Sequence, residues 1–222
     1  MMPPESGLEK IVLGKPARAI LVALFFAGAL AAPIPFPFKV PIIAAIALIW
    51  IWIEDRGLAP VGLTLPRRPG STMLWAAGGA LGATLIIGEL ILPLIERVFS
   101  IETDHAAYGP LRGNEQAALR LWAYAMFSAA VAEEIIYRGF LLHQLSRIVR
   151  QGNAGRWAAI LVGAMAFAIP HYAQGPVGLA SVFLVGVLFG WIFFRSDRNL
   201  WSLFLAHALV DTWGIYSLYR GW

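Results

Sequence analysis

The chain has 222 residues, 59% of them hydrophobic and only 14% charged, with a mean hydropathy of +0.70. An ordinary soluble domain carries about 25% charged residues, so the composition excludes that class and indicates a polytopic membrane protein. The net charge of +4 comes from basic residues scattered over loops, which does not suggest nucleic acid, and the lack of cysteine excludes disulfides, thiolate metal sites and a cysteine nucleophile.

In chain order, seven apolar stretches read as membrane passes: Ala17–Ala32, Val40–Ile53, Thr72–Ile95, Ala118–Tyr137, Trp157–Ile169, Pro176–Phe194 and Leu200–Tyr219. A spanning helix needs about 20 residues, so the second and fifth are short. The expected fold is an all-α transmembrane helix bundle. Residues 1–117 supply N-terminal helices and loops, and 118–222 a C-terminal helix core, within one integral membrane unit. The first stretch imitates a signal peptide, with Lys10, Lys15 and Arg18 before it and Ala29-Leu30-Ala31 as a cleavage-like site; it is read as a retained helix. "PIPFPFKVP" at 33–41 is a proline-rich connector that cannot be helical throughout.

Basic residues set the orientation. One side collects Lys10, Lys15 and Arg18, then Arg56, Arg67 and Arg68, then Arg138, Arg147, Arg150 and Arg156, then Arg195 and Arg198. The other has only Lys39, Arg97, Arg112, Arg120 and Arg220. The positive-inside rule places the N-terminus in the cytoplasm.

Ionisable residues inside apolar runs are functional candidates, because a charge at mid-bilayer costs roughly 2.5–3.5 kcal/mol on insertion scales. They are Glu89, Glu133, Glu134, Arg138, His171, His207 and Asp211. Glu134 and Arg138 are spaced i,i+4 and can pair on one helix face. Glu133 is rotated by about 100° and lacks that countercharge. It is then a candidate general base, or the surplus member of a structural ion pair. In "FAIPHYAQGP", 167–176, Phe167 and His171 are i,i+4, and Pro170 favours a kink of the kind that lines cavities. The same histidine could equally be interfacial. In "HALVDTW", 207–213, His207 and Asp211 are i,i+4, either as an oriented imidazole or as polar glue between helices.

Together the three stretches are more specific. "EEIIYR" resembles the EExxxR motif of the CAAX-protease and bacteriocin-processing (CPBP, or Abi) family of intramembrane proteases. "FAIPH" resembles its FxxxH motif and "HALVD" its HxxxN/D motif, in the same order, over residues 118–218. The resemblance implies an intramembrane endopeptidase acting on a membrane-associated protein or peptide. Glu133 would activate water, supported by Glu134 and Arg138; His171 would hold the water or the oxyanion, with His207 assisting. Asp211 stands where eukaryotic members have asparagine. An ionised aspartate cannot donate to an oxyanion, so Asp211 is expected to orient His207.

Amide hydrolysis needs an activated water, an oxyanion stabiliser and a proton donor. The chain has no HExxH, no GxSxG and no cysteine for rival mechanisms. Glu133, His171 and His207 would also make a catalytic zinc set with water in the fourth place. A metal-free glutamic mechanism is favoured because local zinc-helix spacing is absent. The rival class is a non-catalytic membrane protein: an immunity factor, a scaffold or a small proton-coupled transporter, although no inverted repeat is evident. The expected location is a bacterial or archaeal plasma membrane.

By position, Glu133 falls near the inner end of the fourth pass and His171 near the outer end of the fifth, about 15 Å apart in depth. Staggered helices, or a dip of "GFLLHQLSRIV" (139–149) back into the membrane, would be needed to join them. His143 on that segment is expected on an amphipathic surface. Glu89 is expected to line the cavity or to pair with Arg138. Gly78/Gly82 and Gly186/Gly190 are expected to mark close helix packing.

Overall fold

The computed structural model describes residues 13–101 and 110–222. Lys10 of the orientation count lies outside them. The described residues are all helical with no strand. Two helical stretches, Pro69–Phe99 and Asn153–Arg195, are long and apolar enough to cross a membrane.

Helix α1 (Lys15–Ala31) and helix α2 (Lys39–Asp55) flank the proline-rich connector, which is non-helical before Lys39. Helix α3 (Pro69–Leu81) continues through a π-helical stretch, Gly82–Ile91, into α4 (Leu92–Phe99). Helix α5 (Glu115–Phe127) begins where the Asn114 side chain accepts from the Ala117 amide, 3.1 Å, in an ordinary N-cap. It runs on through π-helical Ser128–Glu133 and Ile135–Leu141 into α6 (Leu142–Ile148). Helix α7 (Asn153–Ala168) ends in a 3-10 segment, Ile169–Gln174, that contains Pro170. Helix α8 (Gly175–Arg195) and helix α9 (Leu200–Arg220) complete the chain, with Asn199 capping α9 through the Trp201 amide.

The core gathers Ala132, Ile135 and Ile136 against Phe189, Ile192 and Phe193 of α8 and Leu203, Phe204 and Ala206 of α9. Large apolar side chains also face outward, among them Leu74, Leu85, Leu161 and Met165. Such a surface suits lipid rather than water. Of the proposed glycine pairs, Gly186 and Gly190 hold α8 against α7: a Cβ on Gly186 would come within 3.0 Å of Ala164, and one on Gly190 within 3.2 Å of Ile160. Of the other pair, Gly82 is also close, with a Cβ within 3.0 Å of Leu188, whereas the Cβ direction of Gly78 is open and its neighbour Gly79 meets Ile192 at 3.0 Å.

The segment after the glutamates departs from expectation. Residues 139–148 neither dip back nor form a surface helix; they continue the helix that began at Glu115. About fourteen residues separate Glu134 from Ile148, and about fourteen separate Asn153 from Phe167. The two arms therefore rise roughly 20 Å from their shared turn, which brings Phe167 level with the charged residues.

This continued helix is polar where it meets α1 and α2. Arg18 pairs with Glu54 at 2.5 Å and also donates to Gln144, whose Nε2 donates to Glu54 at 2.8 Å. Arg147 pairs with Glu54 at 2.9 Å and also with Asp55. His143 is buried, not on an amphipathic surface. Its Nε2 meets Asp55 at 2.8 Å and its Nδ1 meets the Arg198 guanidinium at 3.2 Å. Arginine can only donate, so Nδ1 accepts and the proton sits on Nε2. The ring is neutral in this arrangement. Burial, and then the Arg147 charge, push His143 down to about 4 against the pull of Asp55. Asp55 is held below its usual range: burial acts to raise it, but the hydrogen bonds and charges of Arg147 and His143 outweigh that.

Two outcomes are expected. Removing one charge of a buried pair costs about 3–5 kcal/mol, so Arg18→Ala should lower the unfolding temperature in detergent sharply. Between about 6.5 and about 4 the unfolded chain binds a proton at His143 that the folded one refuses. Stability should therefore fall as pH drops through that window, with Asp55 adding a loss further down. His143→Gln should flatten the upper part of the thermal-melt profile.

Candidate active site

The site grows out of the π-helical stretch. In an α-helix a residue four positions on overshoots one turn by about 40°. The i→i+5 bonding of a π-helix widens the turn. Arg138 donates to Glu134 Oε1 at 2.9 Å, with both side chains almost fully buried. The small residues Ser128, Ala129, Ala130 and Ala132 just before them let α2 and α9 approach.

Glu134 Oε1 also accepts from His207 Nδ1 at 2.7 Å, across 73 positions of sequence. The other ring nitrogen, Nε2, faces Asp211 Oδ1 at 3.6 Å, beyond ordinary hydrogen-bond distance. The expected order of partners is thus reversed. Glu134 positions His207, and Asp211 acts on it by charge at longer range.

Phe167 and Phe189 enclose the pair. The Arg138 guanidinium lies 4.2 Å from the Phe167 ring centre and 5.4 Å from that of Phe189. Stacking on both faces stabilises a desolvated guanidinium. The same two rings pack edge-on against His207, at 6.3 and 5.9 Å. Phe167 also meets Tyr137 at 5.0 Å and His171 at 5.3 Å. His171 is half-buried, and its Nδ1 lies 2.9 Å from the Phe167 carbonyl oxygen. A carbonyl can only accept, so Nδ1 carries the proton and Nε2 keeps its lone pair.

Glu134, Arg138, His207 and Asp211 therefore form one chain of contacts, which His171 joins through the Phe167 ring. Glu133 is half-buried and makes no hydrogen bond or ion pair among the described residues. His207, Asp211, Glu134 and Arg138 all lie within electrostatic range of it. Glu134 Oε2, Arg138 Nη2 and Asp211 Oδ2 are buried without hydrogen-bond partners, so the site has unused polar capacity. Glu89 is exposed, and Arg138 pairs with Glu134 instead of Glu89. Phe189 and the Trp122–Thr212 hydrogen bond (2.9 Å), which ties α5 to α9 beside Asp211, had no signal in the sequence.

The zinc alternative fits poorly. Among the described residues no three His, Asp or Glu side chains are grouped to hold one ion. Both nitrogens of His207 face carboxylates, which leaves only His171 Nε2 open as an imidazole ligand.

The carboxylate, guanidinium and imidazole thus form one buried cluster inside an apolar helix bundle. Residues 115–213 match the family model described as "Type II CAAX prenyl endopeptidase Rce1-like". The family is one of intramembrane CAAX-type proteases, in agreement with the resemblance carried by the three motifs. No curated protein and no solved structure matched the chain.

Arg138→Ala would leave Glu134 buried with only His207 for company. The expected cost is about 3–5 kcal/mol, read as a lowered unfolding temperature in detergent. A variant as stable as the wild type would mean that the pair is not desolvated.

Proposed function

We propose that the protein is an intramembrane endopeptidase of glutamic type that cleaves a membrane-associated protein or peptide. One observation carries this reading. Glu134 is committed to Arg138 and His207, while its neighbour Glu133 is half-buried, close to the same charges and free of hydrogen bonds among the described residues. Two adjacent carboxylates in such different settings divide the labour of structure and chemistry.

Glu133 takes a proton from a water that the lone pair of His171 Nε2 helps to hold. The hydroxide attacks the scissile carbonyl carbon, and the carbonyl π electrons move to oxygen. His207, when it carries both ring protons, donates a hydrogen bond from Nε2 to that oxyanion, with Glu134 holding the ring through Nδ1 and Asp211 adding its charge. The tetrahedral intermediate collapses, the C–N bond breaks, and Glu133 returns its proton to the leaving amine. No metal takes part. All seven apolar helical segments cross the membrane, the N-terminus is cytoplasmic, and the membrane is a bacterial or archaeal plasma membrane.

Glu133→Gln keeps shape and removes the base. It should reduce cleavage of a co-expressed membrane peptide by a factor of about 100 to 10,000 with unchanged extraction and melting in detergent. His171→Ala and His207→Ala should also abolish cleavage, and activity should survive a metal chelator. Full peptidase activity in all three variants would sink the enzymatic reading in favour of a scaffold, immunity factor or transporter. Loss of activity on chelation would sink the metal-free mechanism alone.

A further inference from the structure

A second polar feature lies at the end of the bundle where α3 and α9 begin and α8 ends. A cavity of about 630 Å³ opens there, lined by Arg67, Arg68, Arg195 and Arg198 against one carboxylate, Asp197. Its frame is stiff. Asp197 and Arg198 both adopt left-handed backbone, φ 56° and 61°, in the turn between α8 and α9. That turn is stitched to its surroundings: the Arg198 amide donates to the Phe193 carbonyl at 2.7 Å, and the Leu200 amide to the Gly62 carbonyl at 3.3 Å. Asn199 donates to Thr72 Oγ1 at 2.8 Å, and the Trp201 indole to the Thr64 carbonyl at 3.1 Å.

Within this frame only Arg198 is engaged, with the Pro60 carbonyl at 3.1 Å and with His143. Arg67, Arg68 and Arg195 are exposed, and their guanidinium groups make no ion pair or hydrogen bond among the described residues. Helix α3 starts at the cavity's edge with no side-chain cap, so its free amides and positive dipole end add to the field. Trp75, on the same wall, packs edge-on against Trp191 of α8 at 5.8 Å. An indole pair beside a cluster of arginines has the chemistry of the membrane–water boundary.

We propose that this cavity binds the phosphate of an anionic phospholipid, with its acyl chains leaving along Trp75 and Trp191. Guanidinium forks match phosphate oxygens in pairs. Four arginines against one aspartate favour a headgroup with net negative charge over a zwitterion. Basic pockets between transmembrane helices take such headgroups. The site is remote in chemistry from the glutamate–histidine cluster, so it stands or falls without the peptidase reading.

Native mass spectrometry of the purified full chain in neutral detergent tests this, titrating phosphatidylglycerol, phosphatidylcholine and inorganic phosphate separately. Wild type should retain phosphatidylglycerol in preference to phosphatidylcholine. The triple variant Arg67→Gln/Arg68→Gln/Arg195→Gln should bind it roughly a hundredfold more weakly, at about fivefold per arginine. Arg97→Gln/Arg120→Gln, outside the cavity, should bind as wild type does. If the triple variant does not fold, the single variants Arg67→Gln and Arg195→Gln should each show the fivefold loss. Equal binding of phosphatidylcholine, or undiminished binding in the cavity variants, would overturn the site. Displacement of the lipid by an equal concentration of inorganic phosphate would overturn the lipid assignment.

Discussion

The ion pair between Glu134 and Arg138 is the constraint around which the C-terminal half is arranged. Two charges withdrawn from water inside an apolar helix are costly unless geometry and hydrogen bonds compensate. Here the carboxylate oxygen accepts from both Arg138 and His207, and two phenyl rings cover the guanidinium. Meeting those requirements fixes much else. Helix α9 must present His207 to the middle of the α5–α6 helix, α8 must bring Phe189, and α7 must end with Phe167 alongside Arg138. The positions of His207, Phe189 and Phe167 thus follow from satisfying one buried pair.

The π-helical turns are the local expression of that demand. The ion pair, the two rings and the small residues before it pack around these turns. Glu133 then differs from Glu134 by environment alone. One residue of offset separates a carboxylate with two strong partners from one facing the shared field of the cluster with none.

Much of this was readable from local spacing. The i,i+4 relation gave Glu134 to Arg138. Contacts between distant segments were not readable. His207 and Asp211 share a helix face, so spacing favours that pair, yet the shorter contact of His207 reaches across to Glu134. Similarly, His143, Gln144 and Arg147 interrupt an apolar run and suggest that the helix leaves the bundle. Their partners, Glu54, Asp55 and Arg18, sit at the ends of other helices, where charge looks like ordinary loop chemistry. Buried against each other, these residues let the helix continue, and that continuation removes the depth mismatch between Glu133 and His171.

The two polar clusters answer the same problem differently. The Arg18–Glu54–Arg147–Asp55–His143 network ties α1 and α2 to α6, and one of its buried oxygens, Glu54 Oε1, is held by ion pairs without a hydrogen bond. The Glu134 cluster leaves Glu134 Oε2, Arg138 Nη2 and Asp211 Oδ2 buried and unpartnered. A purely structural cluster gains nothing from such atoms, since each costs about 1–3 kcal/mol when left without a partner. A cluster that must bind water, substrate and a developing negative charge needs groups not already spent on each other. The two clusters differ in degree: among the described residues one buried atom lacks a hydrogen bond in the first, and three in the second.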